Sequence, residues 1–324
     1  MKNTFFVLAL LFSFSMSALG QEIAWCAPPT KFDFVGGELG FPGEPPRADF
    51  SVYRSSENTW YFGQTTGDML TASGALQWGA DGDMLAPADF NADGRTDVAV
   101  FRPSTGEWFI RASTLFDFAK DQTYVATFGM SGDLPVPADY DKDGKADVAV
   151  YRPSDSTWFI LRSSDNKVSI DQFGTSEDRP VPGDFDGDGA ADIAVRRKSD
   201  NTWHILGSSS GYKVFTWGHS GDTATPADFD GDGKTDIAIF RPWKGDWQVL
   251  GSMSGPTTTS WGKKGDIPVP ADYDGDRKDD IAIFRPSNGT WYIAFSNKEF
   301  SGSGFLYYQF GLADDKPVPS TYAY

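Results

Sequence analysis

The feature that most limits what this chain can become is one unit written out again and again. Its clearest copy reads Pro137-Ala138-Asp139-Tyr140-Asp141-Lys142-Asp143-Gly144-Lys145-Ala146-Asp147-Val148-Ala149-Val150-Tyr151-Arg152-Pro153-Ser154, followed by Trp158. The leading aspartate recurs at 89, 139, 184, 228 and 272, so the copies lie 50, 45, 44 and 44 residues apart. A degenerate copy, Ala48-Asp49-Phe50-Ser51-Val52-Tyr53-Arg54 with Trp60 behind it, keeps only the second half of the unit. The matching tryptophans are Trp60, Trp108, Trp158, Trp203, Trp247 and Trp291, which makes six. An aromatic-Gly-x-x-x-Asp element also occurs six times, at Trp78, Phe128, Phe173, Trp217, Trp261 and Phe310. Repetition at this period marks an architecture of stacked or ringed units and overrides the two-domain prior that 324 residues would suggest.

Each unit reads as four short strands. In the clearest copy these are Val136–Tyr140, Asp147–Tyr151 and Thr157–Leu161, and Thr123–Phe128 is the fourth strand of the preceding unit. Gly, Pro, Ser, Asp and Asn separate them, and no useful stretch has helical period. Aromatic residues at 15%, with 35 Gly and 20 Pro, suit strands broken by turns. The fold expected is all-β, a six-bladed β-propeller of four-stranded blades over residues 31–324. The tail, Pro317-Val318-Pro319-Ser320-Thr321-Tyr322, supplies an opening strand without a second half. The first blade has a second half but a broken opening, so joining the two terminal segments would close the ring and hide its edges. Lys31-Phe32-Asp33-Phe34 competes for the same place.

The strongest chemical signal is Asp-x-[Asp/Asn]-x-Asp-Gly-x-x-Asp. Hard oxygen ligands at positions 1, 3 and 5 of a tight loop suit a calcium ion, which takes about six to eight oxygens. The carbonyl of position 7 and the Asp of position 9 complete the set. The candidate ligands are Asp89, Asn91, Asp93, Arg95 and Asp97; Asp139, Asp141, Asp143, Lys145 and Asp147; Asp184, Asp186, Asp188, Ala190 and Asp192; Asp228, Asp230, Asp232, Lys234 and Asp236; and Asp272, Asp274, Asp276, Lys278 and Asp280. Five copies in one register argue against plain hairpin turns, and packed carboxylates without a cation would repel one another. No Glu stands at position 12, so these are not EF-hands. Four to five ions are expected. The Asp89 loop, with Asn91, and the Asp272 loop, with Arg277 where the others have Gly, should bind most weakly. The first blade should have lost its site.

These residues resemble the FG-GAP/VCBS-type repeats of bacterial extracellular proteins and integrin α-subunit propellers. The resemblance covers about residues 31–324, and the Phe-Arg-Pro-Ser-x-x-x-Trp extension is similar to the bacterial subgroup. It implies a propeller with a calcium ion in each intact loop. Integrin propellers have seven blades, whereas this chain counts to six. Related repeats occur in lectins, adhesion proteins and polysaccharide-degrading enzymes, so the repeat does not name a partner.

Residues 1–20 read as a secretory signal: a short basic start, an apolar run from Phe5 to Phe14, and Ala18-Leu19-Gly20 before a cut at Gln21. The apolar run is too short to span a bilayer. Residues 21–30 form an N-terminal extension carrying Trp25 and Cys26, the single cysteine, which cannot form an internal bridge. The expected place is outside the cell or in the periplasm. The chain carries 28 basic and 45 acidic residues, a net charge of −17. Loss of Lys2 with the signal leaves −18, which disfavours nucleic acid or an anionic membrane as partner.

The repeat tryptophans are assigned to packing between blades rather than to sugar stacking. The arginines Arg54, Arg102, Arg152, Arg197, Arg241 and Arg285 are assigned to pairs with repeat carboxylates such as Asp83, Asp133 and Asp178. Departures from the repeat are the candidates for ligand binding: Trp243, in an exposed turn, and Arg196 and Lys198, which make a basic spot on an acidic ring. The two histidines, His204 and His219, fall at repeat positions, and no nucleophile elbow, zinc motif or phosphate loop appears. The expectation is a secreted, monomeric binding or adhesion module for a glycan or protein ligand. The alternative is a polysaccharide-active lyase or hydrolase on the same scaffold, with the stretch Arg196 to Lys198 as its only local hint.

Overall fold

A computed structural model describes residues 47–66, 69–112, 122–297 and 304–318. The signal segment, Trp25, Cys26 and the competing opening segment Lys31 to Phe34 lie outside the described residues. The described chain forms six four-stranded antiparallel sheets and no helix. Blades 2 to 6 each take four consecutive strands. Blade 4, for example, runs Arg179–Pro180, Ile193–Arg197, Thr202–Gly207 and Gly211–Thr216. No helix among the described residues is long and apolar enough to cross a membrane.

The opening strand is shorter and earlier than the sequence suggested. It is Leu134–Pro135 in blade 3, not Val136–Tyr140. The amide of Val136 still donates to the Ala149 carbonyl at 2.9 Å, and Ala138 bridges Asp147. Pro137 stands between them at the non-hydrogen-bonded place of the ladder, opposite Val148, where a missing N–H leaves no partner unpaired. The other three strands of the unit fall within a residue of expectation: Val148–Arg152, Thr157–Leu161 and, in blade 2, Thr123–Thr127.

The ring closes through its two ends. Lys316–Pro317 pairs with Phe50–Arg54, matching Val52 to Pro317 and Tyr53 to Lys316. Val318 adds a main-chain bond to Ser51 at 2.9 Å, and the Ser51 hydroxyl donates back to the Val318 carbonyl at 2.6 Å. The tail residues 319–324 lie outside the described residues.

The core consists of clusters at the blade interfaces. Phe50 and Val52 of blade 1 pack with Phe284 and Trp291 of blade 6, while Tyr53 and Trp60 pack with Val98 and Val100 of blade 2. All six repeat tryptophans have no exposed surface. Each indole N–H donates to the carbonyl of the aromatic-Gly element, for example Trp108 to Phe128 at 2.9 Å and Trp291 to Phe310 at 2.8 Å. A buried tryptophan needs that acceptor, and truncating one to Ala would cost about 3–5 kcal/mol. The tryptophans are therefore frame, as expected.

Candidate functional site

The aspartate loops join the opening strand to the second strand of blades 2 to 6, and each folds around its own first carboxylate. In the Asp184 loop, Asp184 Oδ1 accepts the amides of Gly187 at 2.6 Å and Asp188 at 3.1 Å, and Oδ2 accepts Gly189 at 2.8 Å. Position 9 closes the loop from the next strand. Asp192 Oδ2 accepts the Phe185 amide at 2.9 Å, and Oδ1 accepts the Ser208 amide at 2.7 Å. Position 5 takes the amide of position 7 on one oxygen, with Ala190 2.9 Å from Asp188, and a serine hydroxyl on the other, from Ser208 at 2.8 Å. Arg95, Lys145, Lys234 and Lys278 donate to position 5 in the same way.

Position 3 is different. In three loops one buried carboxylate oxygen has no hydrogen-bond partner: Asp141 Oδ1, Asp230 Oδ1 and Asp274 Oδ2. A buried anionic oxygen left unpaired is costly, and a cation is the partner that would satisfy it. Four loops also bring three carboxylate oxygens within 4.8 Å of one another, through Asp139, Asp141 and Asp147; Asp184, Asp186 and Asp192; Asp228, Asp230 and Asp232; and Asp272, Asp274 and Asp276. These clusters could hold metal ions. Burial pushes Asp147 and Asp236 up to about 7, and Asp192 and Asp274 up to about 6, with neighbouring aspartates adding to the rise. Asp280 is held well above the usual carboxylate range for the same reasons.

The loops differ in ways that bear on affinity. In the Asp89 loop the Asn91 amide donates to Asp93 Oδ2 at 3.2 Å, so the substitution both removes a charge and occupies a neighbour's oxygen. Arg277 has φ 70°, in the left-handed region where its sister Gly189 has φ 92°, so the expected backbone strain at this position is present. A second left-handed position was not legible in the motif. Position 4 has positive φ throughout, and it is Ala92, Lys142, Gly187, Gly231 and Gly275 in the five loops. Only the Asp184 and Asp228 loops carry glycine at both places.

The loops are also stitched together. The amide of position 8 donates to the carbonyl of position 1 in the preceding loop: Ala146 to Asp89, Ala191 to Asp139, Thr235 to Asp184 and Asp279 to Asp228, each at 2.7 Å. Ala48, the remnant of blade 1, donates likewise to Asp272 at 2.8 Å.

A family model described as an FG-GAP-like repeat matches residues 89–150, 139–195 and 184–239, each match running from one leading aspartate through the following loop to its position 12. Residues 89–239 are thus made of FG-GAP-like repeats. No curated protein matches it in sequence. Among solved structures, a lectin of Agrocybe aegerita, described by its specific recognition of non-reducing terminal N-acetylglucosamine, is 16% identical with a TM-score of 0.53, covering 86% of this chain and 78% of the lectin. A streptogramin B lyase is 8% identical with a TM-score of 0.50, covering 83% of this chain and 85% of the lyase. At such identities the likeness is one of fold.

In every blade the repeat arginine grips the aspartate of the aromatic-Gly element. Arg102 holds Asp83, Arg152 holds Asp133, Arg197 holds Asp178 and Arg285 holds Asp266 through two bonds of 2.8–2.9 Å. Arg241 holds Asp222, and Arg54 reaches Asp315 across the ring closure. The same aspartates accept a backbone amide three residues upstream, as Asp133 does from Met130 at 2.9 Å.

Of the three residues singled out for a ligand, Arg196 is not at the surface. It is 2% exposed and donates to the backbone carbonyls of Asp222 at 2.5 Å and His219 at 3.0 Å. Its slot is the one that Tyr53, Phe101, Tyr151, Phe240 and Phe284 fill in the sister blades, facing a neighbouring blade. The basic spot is therefore reduced to Lys198, which is exposed. Trp243 is 50% exposed in its turn, as expected, with its ring lying over Gly221.

The sequence analysis set His204 aside as a repeat position and did not reach Tyr212. With Phe173, Gly174 and Arg197 they line an open hollow of ≈ 360 Å³ between blades 3 and 4. The signal was available. The slot of His204 holds an aromatic ring in four sister blades, Tyr61, Phe109, Phe159 and Tyr292, each lying 4.1–4.3 Å under the repeat arginine.

Proposed function

We propose that this chain is an exported propeller, stabilised by calcium, that serves as a binding module for an extracellular glycan or protein ligand. The observation that carries the reading is how the side chains divide. The repeated arginines and tryptophans are taken up by the frame, and the unrepeated polar and aromatic residues, Trp243, Lys198, His204 and Tyr212, lie toward the outside of blades 4 and 5. A rigid ring with a few divergent surface residues suits recognition.

Calcium would be held by the position-1, position-3, position-5 and position-9 carboxylates, and the partnerless oxygens of Asp141, Asp230 and Asp274 support that fit. Bound calcium supplies charge neutralisation and rigid turns, the role disulfides play in many exported proteins. Burial of Arg196 takes one residue from the stretch Arg196 to Lys198 that hinted at the lyase alternative, and Lys198 stays exposed.

A glycan array probed in calcium buffer, run beside product assays on the same polysaccharides, tests the reading. Retention without turnover is expected. Product release without retention would replace the module with an enzyme.

A further inference from the structure

We propose that the hollow between blades 3 and 4 is a subsite for a single neutral hexopyranose residue of a glycan. The inference rests on the binding-module reading and names the ligand class that one site would take.

The hollow combines two residues of blade 4. His204 replaces the large ring that four sister blades carry under the repeat arginine, and Tyr212 stands on the outer strand where blade 3 carries Val168, blade 5 Pro256 and blade 6 Phe305. The two residues are locked to one another. The Thr202 hydroxyl donates to Asp200 at 2.5 Å, so its oxygen is free to accept His204 Nε2–H at 2.8 Å. His204 Nδ1 is then an acceptor, and it takes the Tyr212 O–H at 2.7 Å. Burial, helped by the charge of Arg197, lowers the His204 pKa, which keeps the imidazole neutral and this chain of bonds intact at neutral pH.

The consequence is a preorganised surface. The Tyr212 hydrogen is committed, so its oxygen faces the hollow as an acceptor only. The Tyr212 ring is 57% exposed, stacks on His204 at 18° and meets Phe173 edge-on at 78°. Arg197 spends Nε and Nη2 on Asp178, and its Nη1 end has no partner among the described residues. An apolar aromatic wall with one fixed acceptor and one fixed donor matches a pyranose ring, which has an apolar face and a hydroxyl rim. The volume lies at the small end of the range for ligand sites, which suits one sugar unit. Asp178 neutralises Arg197, and the chain as a whole is strongly acidic, so a neutral sugar is favoured over a uronic acid.

The test is a titration of the full mature protein, in calcium buffer, with the methyl glycosides of glucose, galactose, mannose and N-acetylglucosamine and with glucuronate, read by saturation-transfer NMR and calorimetry. At least one neutral glycoside should bind, and glucuronate should bind about tenfold more weakly or not at all. His204→Phe restores the ring of the sister blades and should abolish binding while leaving the thermal midpoint near that of the parent. Tyr212→Phe, which frees the imidazole and removes the acceptor, should weaken binding about tenfold and guards the test should the first variant fold poorly. A neutral glycoside bound equally well by parent and Tyr212→Phe would overturn the subsite but leave the module reading standing. So would array retention of a glycan with none of the four glycosides bound. Glucuronate bound as tightly as the neutral sugars would overturn the ligand class. Neither array retention nor glycoside binding would overturn the subsite and the glycan form of the module reading together.

Discussion

At the aromatic-Gly end of each blade, a buried aspartate is closed by an arginine of the same blade. At the loop end of blades 3 to 6, aspartate side chains converge and are met by backbone amides and serine hydroxyls. The first arrangement is electrically complete. Asp133, 1% exposed at its side chain, lies 2.8 Å from Arg152 and needs nothing from solution. The second leaves buried oxygens of Asp141, Asp230 and Asp274 without a donor and raises Asp147, Asp236 and Asp280. One ring thus contains a charge pattern finished by the chain and another that an added cation would finish. The difference predicts which part of the fold should respond to calcium and which should not.

The largest effect should come from taking the cation away. A ligand that binds only the folded state at a hundredfold excess contributes about 2.7 kcal/mol per site, so four loops amount to roughly 10 kcal/mol. At about 2 °C per kcal/mol for a chain of this size, chelation should lower the thermal midpoint by roughly 20 °C. Scanning calorimetry in chelator and in millimolar calcium reads this directly.

The pH dependence should differ in sign between the two states. Without calcium, the folded Asp147 and Asp236 keep protons up to about 7, whereas the unfolded chain loses them near 3.8. The folded state binds more protons in that window, so the stability of the chelated protein should fall as pH rises from about 4 to about 7. Calcium needs the carboxylates ionised, so the stabilisation it adds should grow over the same window. Midpoints measured across pH in both buffers would show parallel slopes if the comparison is wrong.

Breaking a clasp should cost less, and equally in both buffers. Arg152→Ala strands Asp133 in the interior, and removing one partner of a buried pair costs about 3 kcal/mol. Denaturant unfolding with and without calcium checks it, and a calcium-dependent loss would erase the distinction between the two ends. The smallest effect concerns Arg277. Arg277→Gly relieves a left-handed residue and should stabilise the Asp272 loop by about 1 kcal/mol, visible as tighter calcium binding there.

Much of this was legible because the repeat compares the chain with itself. Six tryptophans in one register belong to a common packing slot, and six arginines with six aspartates belong to a common pair. The same comparison, carried one residue further, would have placed Arg196 in the interior, since it stands in a slot of Tyr and Phe. It was misread because Ile193–Arg197 is covered on both faces by neighbouring blades, so no polar alternation marks which residues reach solvent. Position 4 of the loops was illegible for another reason. Its left-handed backbone is carried by Ala92 and Lys142 as well as by glycine, and nothing in those side chains announces it. The hollow at His204 needed His204 and Tyr212 read together, on strands whose pairing only the structure shows.

The central claim is that the aspartate loops are metal sites. Native mass spectrometry of the mature protein, desalted from calcium buffer, counts the ions. The account predicts four or five calcium ions per chain, with the Asp89 loop the first to empty on dilution. A chain that carries none, at any calcium concentration that leaves it folded, would mean that the loops are turns held by their own amides, and the account of their carboxylates would be wrong.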